Sequence, residues 1–287
     1  MGMRVLLVRG VTLVLLLTAC TPAPIPAITP VASSVPTSTP ALTSLEVADD
    51  KASLYTKACD AGDAKSCNKL GLLFENGQGV HKSKTRAAAF YTKACDAGEV
   101  DGCFNLGVLF EHGRGVRKDQ ARAAALYTKA CDAGQVMGCN NLGLMFAKGR
   151  GVEKDEMKAA ALFTKACDAD NGPSCTSLGF MFQEGLGVSK YEARAVDLYT
   201  KACDVGDARG CSNLGGLVAR GIGVTMDEAR AMDLFTKACD GGEALGCANL
   251  GTILEHGVSV SKDAVRARRA YGRACELGHA PSCATGR

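Results

Sequence analysis

The sequence predicts an all-α, right-handed solenoid of 36-residue helical hairpins, and three observations carry that prediction. Fourteen cysteines fall in pairs eight residues apart, and the pairs recur every 36 residues without a slip: Cys59 with Cys67, Cys95 with Cys103, Cys131 with Cys139, Cys167 with Cys175, Cys203 with Cys211, Cys239 with Cys247, and Cys275 with Cys283. Between them, apolar and small residues follow helical spacing in two runs per period. Glycine closes each run. A fixed period of this length marks a stack of supersecondary units that bury their apolar faces only against one another.

Composition agrees with the pattern. Aromatic residues make up 5% of the 287, and Trp is absent. A bulky globular core is therefore not expected, whereas abundant Ala, Leu and Gly suit closely packed helices. The net charge is +3, and without Arg4 and Arg9 it falls to +1. A near-neutral chain offers no electrostatic reason to bind nucleic acid. Fifteen cysteines in a chain that begins like an exported protein point to an oxidising compartment and a disulfide framework.

Residues 1–19 read as a signal segment: Arg4 and Arg9 precede the apolar run Val11 to Leu17. That run is too short to span a bilayer. Leu17-Thr18-Ala19-Cys20 resembles a bacterial lipobox, in which Cys20 is lipidated and becomes the mature N-terminus. Cys20 stands outside the pairwise pattern, and a lipid role would explain the odd count. Thr21 in place of Asp implies, by resemblance to other lipoproteins, an outer-membrane destination. Residues 20–45 hold six of the eight prolines among Thr, Ser and Ala, which predicts an extended, disordered tether. At about 3.1 Å per residue it reaches roughly 80 Å.

The solenoid is assigned to residues 46–287: a leading helix, six full repeats and a C-terminal stub. One unit shows the grammar. Cys103, Leu106, Gly107 and Phe110 mark one face of a first helix, A, which Gly113-Arg114-Gly115-Val116 ends. Asp119 is placed to cap a second helix, B, whose face carries Ala123, Leu126, Tyr127, Ala130 and Cys131. Asp132-Ala133-Gly134 then stops it. The stop after helix A decays at Gly257-Val258-Ser259-Val260. Gly71, Gly107, Gly143, Gly179, Gly215 and Gly251 sit inside A helices at a cost of about 1 kcal/mol each. They predict close packing against a neighbouring backbone.

Two residues eight apart in one helix stand about 12 Å apart, whereas a disulfide needs Cα atoms within ~7 Å. Each pair, if bonded, must flank a turn, so that Cys131 of a B helix joins Cys139 of the next A helix. Closing so short a loop contributes about 2.5 kcal/mol by chain-entropy arguments. Zinc spacing of the C-x₂₋₄-C kind does not occur, nor does a haem-attachment motif. His81, His112, His256 and His279 are scattered, and His112 and His256 suit the negative end of a helix dipole. The Gly-x-Gly-Val loops do not continue into a P-loop, so they read as helix stops. No metal and no cofactor are expected.

Ala-Leu-Tyr-Thr-Lys-Ala-Cys-Asp-Ala, closed by Gly134 and followed by Asn-Leu-Gly-x-x-Phe-x-x-Gly-x-Gly-Val, resembles the Sel1-like repeat, a relative of tetratricopeptide repeats. A Cys pair in every unit is similar to the Helicobacter cysteine-rich proteins. The resemblance covers residues 46–287 and implies the fold strongly. For function it implies two different roles: an adaptor that binds proteins along a concave face, or a penicillin-binding protein with weak β-lactamase activity. Serine hydrolases of that kind carry S-x-x-K on a helix. Ser66-Cys67-Asn68-Lys69 matches the string, making Ser66 and Lys69 the weak catalytic candidates. Neither S-D-N nor K-T-G accompanies it, Lys84-Thr85-Arg86 being a partial echo, and Cys67 belongs to the disulfide pattern.

The binding reading rests on helix A. Two positions after Cys stand Lys69, Asn105, Asn141, Ser177, Asn213 and Asn249. Asn105, Asn141, Asn213 and Asn249 either form an amide ladder for an extended peptide or bond neighbouring turns. The expectation is an exported, membrane-anchored scaffold, monomeric, in the cell envelope or otherwise secreted. It would bind a protein, a peptide or a peptidoglycan-related molecule, with the bilayer engaged through Cys20. A weak β-lactamase and a purely structural envelope spacer are the alternatives.

Overall fold

The computed structural model describes residues 43–257 and 260–285, within one compact unit, Ala41–Arg287. The expected signal segment 1–19, Cys20 and the tether through residue 42 lie outside the described residues. Among the described residues all regular structure is helical. A leading helix α1 (Thr43–Asp60) is followed by six A helices: α2 (Ala64–Asn76), α4 (Val100–His112), α6 (Val136–Lys148), α8 (Gly172–Glu184), α10 (Ala208–Arg220) and α12 (Ala244–His256). They alternate with six B helices: α3 (Lys84–Asp96), α5 (Gln120–Asp132), α7 (Glu156–Asp168), α9 (Glu192–Asp204), α11 (Glu228–Asp240) and α13 (Ala264–Glu276). A short α14 (Ser282–Thr285) ends the described chain. Each A helix packs on the B helix that follows it and each B helix on the next A helix, and α2 also touches α4, α8 touches α10 and α10 touches α12. Six hairpins, a leading helix and a stub result. Helix α1 starts at Thr43, ahead of the boundary read at residue 46. Pro40 is the last of the N-terminal prolines, and beyond it the backbone is free to turn helical.

Every helix in a hairpin runs for 13 residues because both ends are written into the repeat. At the start of α5, Asp119 Oδ1 accepts from the Arg122 N–H at 2.9 Å, and Asp155, Asp227 and Asp263 cap α7, α11 and α13 in the same way. Such a cap stabilises by about 1 kcal/mol. In α9, Tyr191 takes the capping position and makes no such bond. The A helices end on a left-handed glycine, Gly113 at φ 69° in α4. Two residues later Gly115 is again left-handed, and a Cβ there would collide with the Lys84 carbonyl of the preceding hairpin. The loop thus serves as the joint between hairpins as well as a stop. At Gly257 the φ is −47°, in keeping with the decayed motif.

The recurring Tyr-Thr-Lys-Ala-Cys-Asp of helix B assigns a separate contact to nearly every side chain. In α5 the Tyr127 ring is wholly buried, and Thr128 Oγ1 donates back to the Ala124 carbonyl at 2.9 Å. Lys129 Nζ reaches the Cys95 carbonyl at the end of α3, 2.6 Å away, and Lys165 does the same for Cys131 at 2.7 Å. A cation there complements the negative end of the previous B helix. Ala130 is fully buried.

All fourteen paired cysteines are bonded in the expected register. The bridges are Cys59–Cys67, Cys95–Cys103, Cys131–Cys139, Cys167–Cys175, Cys203–Cys211, Cys239–Cys247 and Cys275–Cys283, with Cα–Cα distances of 4.4–4.8 Å. Each joins the last turn of α1 or of a B helix to the start of the next element. Cys211 and Cys247 enter α10 and α12 one residue after a glycine that meets the preceding B helix, and these two and Cys175 of α8 are buried. Burial on both sides shields these bridges from solvent thiols. The turn between paired cysteines needs a left-handed residue: Gly134 supplies it at φ 89°, and in the α7–α8 turn Asp170 does so at φ 58°.

The mid-helix glycines have a different partner from the one expected. A Cβ on Gly107 would stand 2.8 Å from Cε1 of the Tyr127 ring, and Gly71, Gly143, Gly179, Gly215 and Gly251 face Tyr91, Phe163, Tyr199, Phe235 and Tyr271 likewise. The neighbour is an aromatic side chain of the B helix, because the large residue of each hairpin fills the gap that the glycine leaves. Gly107→Ala should therefore lower stability by about 1–3 kcal/mol through overpacking, even though Ala is the better helix former by about 1 kcal/mol. Urea unfolding followed by circular dichroism tests this; a raised midpoint would mean that the ring moves aside freely.

Candidate functional site

A buried phenol requires a partner for its hydroxyl, and each tyrosine of the B helices finds one 16 residues earlier on helix A. Tyr91 donates to Glu75 at 2.7 Å, Tyr127 to Glu111 at 2.8 Å, Tyr199 to Gln183 at 3.2 Å and Tyr271 to Glu255 at 2.9 Å. Burial first, and then the neighbouring carboxylate, push the Tyr91 and Tyr127 phenols up, so both remain protonated donors. In the other two hairpins the ring is Phe163 or Phe235, and the residue 16 earlier is Ala147 or Ala219. The pair changes together, and losing both polar groups leaves no orphan.

It also leaves space. A cavity of about 420 Å³ opens beside Ala147 and Phe163, floored by Leu144, Phe180 and Met181 and continued by Asn213. The opening runs along the groove face of the A helices, from α6 across α8 and α10 to the start of α12. Its size falls within the range of about 300–1,000 Å³ usual for ligand pockets. A second substitution keeps it open. Phe104 of α4 lies 5.8 Å from the Tyr127 ring, whereas the equivalent places in the next helices hold the smaller Asn140, Thr176 and Ser212. Lys148, Glu156, Arg209 and Glu243 stand at the rim.

The expected binding residues Asn105, Asn141, Asn213 and Asn249 occupy one register of the groove, and all are half-buried. Asn105 Nδ2 donates to Asn68 Oδ1 in the preceding repeat at 2.9 Å. Asn141 Oδ1 accepts from Asn140 at 3.2 Å, and the amides of Asn141 and Asn213 oppose the rise of the Tyr127 and Tyr199 phenols. Ser177 interrupts the row and bonds the Pro173 carbonyl at 2.8 Å. Asn105 and Asn141 thus bond neighbouring side chains, and Asn213 lines the cavity.

The catalytic candidates are drawn to different partners. Ser66 is buried and donates to the Asp63 carboxylate, a bond that holds that carboxyl below its usual range. Lys69 Nζ lies over the Tyr55 ring, 5.4 Å from its centre. Within the described residues, no three His, Cys, Asp or Glu side chains are grouped to hold a metal. His112 Nδ1 is bonded to the Val108 carbonyl at 3.0 Å, in the last turn where a cation suits the helix dipole. The tyrosine–carboxylate pairing and the cavity escaped the sequence reading, although a 16-residue offset between Tyr and Glu or Gln was there to be counted. The double change Ala147→Glu with Phe163→Tyr should restore the pair, shrink the cavity and leave the unfolding midpoint unchanged or higher; a clear drop would deny that the two positions act together. Ser66→Ala should cost about 1 kcal/mol and leave any hydrolysis of a chromogenic cephalosporin unaltered.

The Sel1 repeat matches seven consecutive segments: 52–63, 64–99, 100–135, 136–171, 172–207, 208–243 and 244–279. The first covers part of α1, and the other six begin with the A helices. Among solved structures, a protective antigen of uropathogenic Escherichia coli displaying an SLR fold is 27% identical over 80% of this chain, with a TM-score of 0.76. This chain spans about half the length of that protein, 50%. A Sel1 repeat protein from Oxalobacter formigenes is 26% identical, with 81% of this chain and 95% of that one covered and a TM-score of 0.71. Cysteine-rich protein B of Helicobacter pylori is 31% identical over 46% of this chain and 94% of its own, with a TM-score of 0.38. Among curated proteins none matches.

Proposed function

The chain belongs to the Sel1 repeat family, and from that premise we propose that it is an exported scaffold that binds a protein or peptide along the groove of its A helices. The cavity beside Ala147 and Phe163 carries this reading. It is a concave, mostly apolar recess with a few polar groups at its edge, the form that binding sites take. It also lies where the repeat departs from its own pattern while the glycine, ring and cysteine positions hold. A residue that varies against so regular a background is released from the demands of packing, and is available for recognition.

Export is supported by a disulfide in every repeat, since such bonds persist in oxidising compartments. No helix of the described residues is long and apolar enough to cross a membrane. Attachment would instead pass through acyl chains on Cys20, each buried CH₂ contributing about 0.8 kcal/mol.

Two measurements test these statements. Replacing Asn141 and Asn213 together by Ala should abolish peptide binding while helicity is retained; binding that persists in a helical double variant would remove the groove reading. Changing Cys20 to Ser should move the protein from the membrane fraction to the soluble one, and a protein that stays with the membrane would deny the lipid anchor.

A further inference from the structure

Helix α10 presents Arg209, Ser212, Asn213, Gly216 and Arg220 at spacings of i, i+3, i+4, i+7 and i+11, a single face of the helix. Arg209, Ser212 and Asn213 line the cavity, and Gly216 extends the same face by one turn. Gly216 has no packing reason to be glycine. A Cβ built there meets one atom within 4 Å, the Arg220 Nη2 at 3.9 Å, whereas one on the adjacent Gly215 would press on the Phe235 ring at 2.8 Å. Gly216 is not among the left-handed glycines either. It therefore gives up about 1 kcal/mol of helix propensity without a structural return, and its effect is to bare the backbone of α10 at the groove. The equivalent positions on the preceding A helices hold Leu72, Val108, Leu144 and Phe180. Phe180, one repeat before the gap, is 47% exposed and lines the cavity.

The lining carries two cations, Lys148 and Arg209, and two carboxylates, Glu156 and Glu243, and each carboxylate is turned to a partner of its own. Glu156 is held by Lys154 at 2.7 Å, and Glu243 turns its carboxylate to the Leu245 N–H at the start of α12. On the cationic side stand Lys148, Arg209 and Arg220. Arg209 has only a long contact, 3.9 Å, to Asp207, whose other oxygen accepts from Thr176. Arg220 Nε is bonded to the Gly216 carbonyl at 2.8 Å, which lays its guanidinium along the bare stretch. A gap over a backbone, an exposed aromatic beside it and cations at its edge that no carboxylate closely engages define one kind of occupant.

Resting on the groove reading above, we infer that the site takes an extended peptide segment that places a bulky apolar side chain against Phe180, Met181 and Gly216. A carboxylate next to that side chain would meet Arg209 or Lys148. The apolar group supplies buried area, and the carboxylate fixes the direction of the segment through charge-assisted hydrogen bonds.

The test is selection of a displayed library of random linear peptides on the oxidised protein, followed by binding measurements with the enriched peptides. Enrichment of sequences that join a bulky apolar residue to Asp or Glu is expected. Gly216→Leu should fill the gap, keep or raise the unfolding midpoint, and weaken those peptides by about tenfold or more. Arg209→Gln should remove the preference for the acidic residue and flatten the salt dependence of binding. Enriched peptides without an acidic residue, or peptides that bind the Gly216→Leu protein equally well, would overturn the inference. If such peptides still lose binding when Asn141 and Asn213 are replaced, the groove reading survives and only the assigned chemistry falls. A library that yields no peptide sensitive to either set of changes removes both.

Discussion

The fold depends on how closely helix A can approach helix B, and one contact fixes that distance: a glycine on A against a buried aromatic ring on B. With Gly107 under the Tyr127 ring, the two backbones stand nearer than any side chain at residue 107 would allow. Close approach favours small neighbours, which is why Ala123, Ala124 and Ala130 fill so much of the interior around α5. An interior of alanines buries little area per residue, and area is what the hydrophobic effect acts on. The disulfides and the lysine contacts to preceding carbonyls offset that shortfall at the joints between hairpins.

The same contact explains where variation is tolerated. Because the ring is held by its glycine, its hydroxyl and the acceptor on helix A can be gained or lost as a unit without moving the helices. Tyr127–Glu111 and Phe163–Ala147 are alternative fillings of one frame. The second leaves a recess. Gly216 is a departure of another sort, since it removes a side chain where the frame asks for nothing. Both departures fall on the groove side, in the repeats on either side of the α8–α9 hairpin, and a binding site results from absences set into a regular wall.

Much of the architecture was legible in the residues alone. Cysteine spacing gave the repeat length, and it fixed the turns between paired cysteines because a continuous helix would keep them apart. Asp119 as a cap and Gly113 as a stop were readable from local chemistry that does not depend on the rest of the fold. The glycine partner was misassigned to backbone, since a single helix shows that Gly107 faces something without showing what. The shared register of Asn141 and Asn213 on the A helices was readable from the repeat spacing. Their influence on the Tyr127 and Tyr199 phenols was not foreseeable, because those rings come from the other helix of a hairpin. The cavity was hidden for the same reason: its walls come from α6, α7, α8, α10 and α12, and their distance in sequence conceals their contact in space.

The disulfides join one hairpin to the next and leave the two helices of a hairpin to hold by packing and side-chain hydrogen bonds. Under tension along the stack, a pulling force would pass through the sulfur bridge and bypass the turn between Cys131 and Cys139. Without the bridge, the eight steps from Cys131 to Cys139 could extend to roughly 27 Å at about 3.4 Å each. With seven such bridges in series, the oxidised chain is a linkage of short, inextensible couplings whose remaining give lies within the hairpins. Reduction would lengthen every coupling at once, so the thiol–disulfide state sets how far the molecule can be stretched.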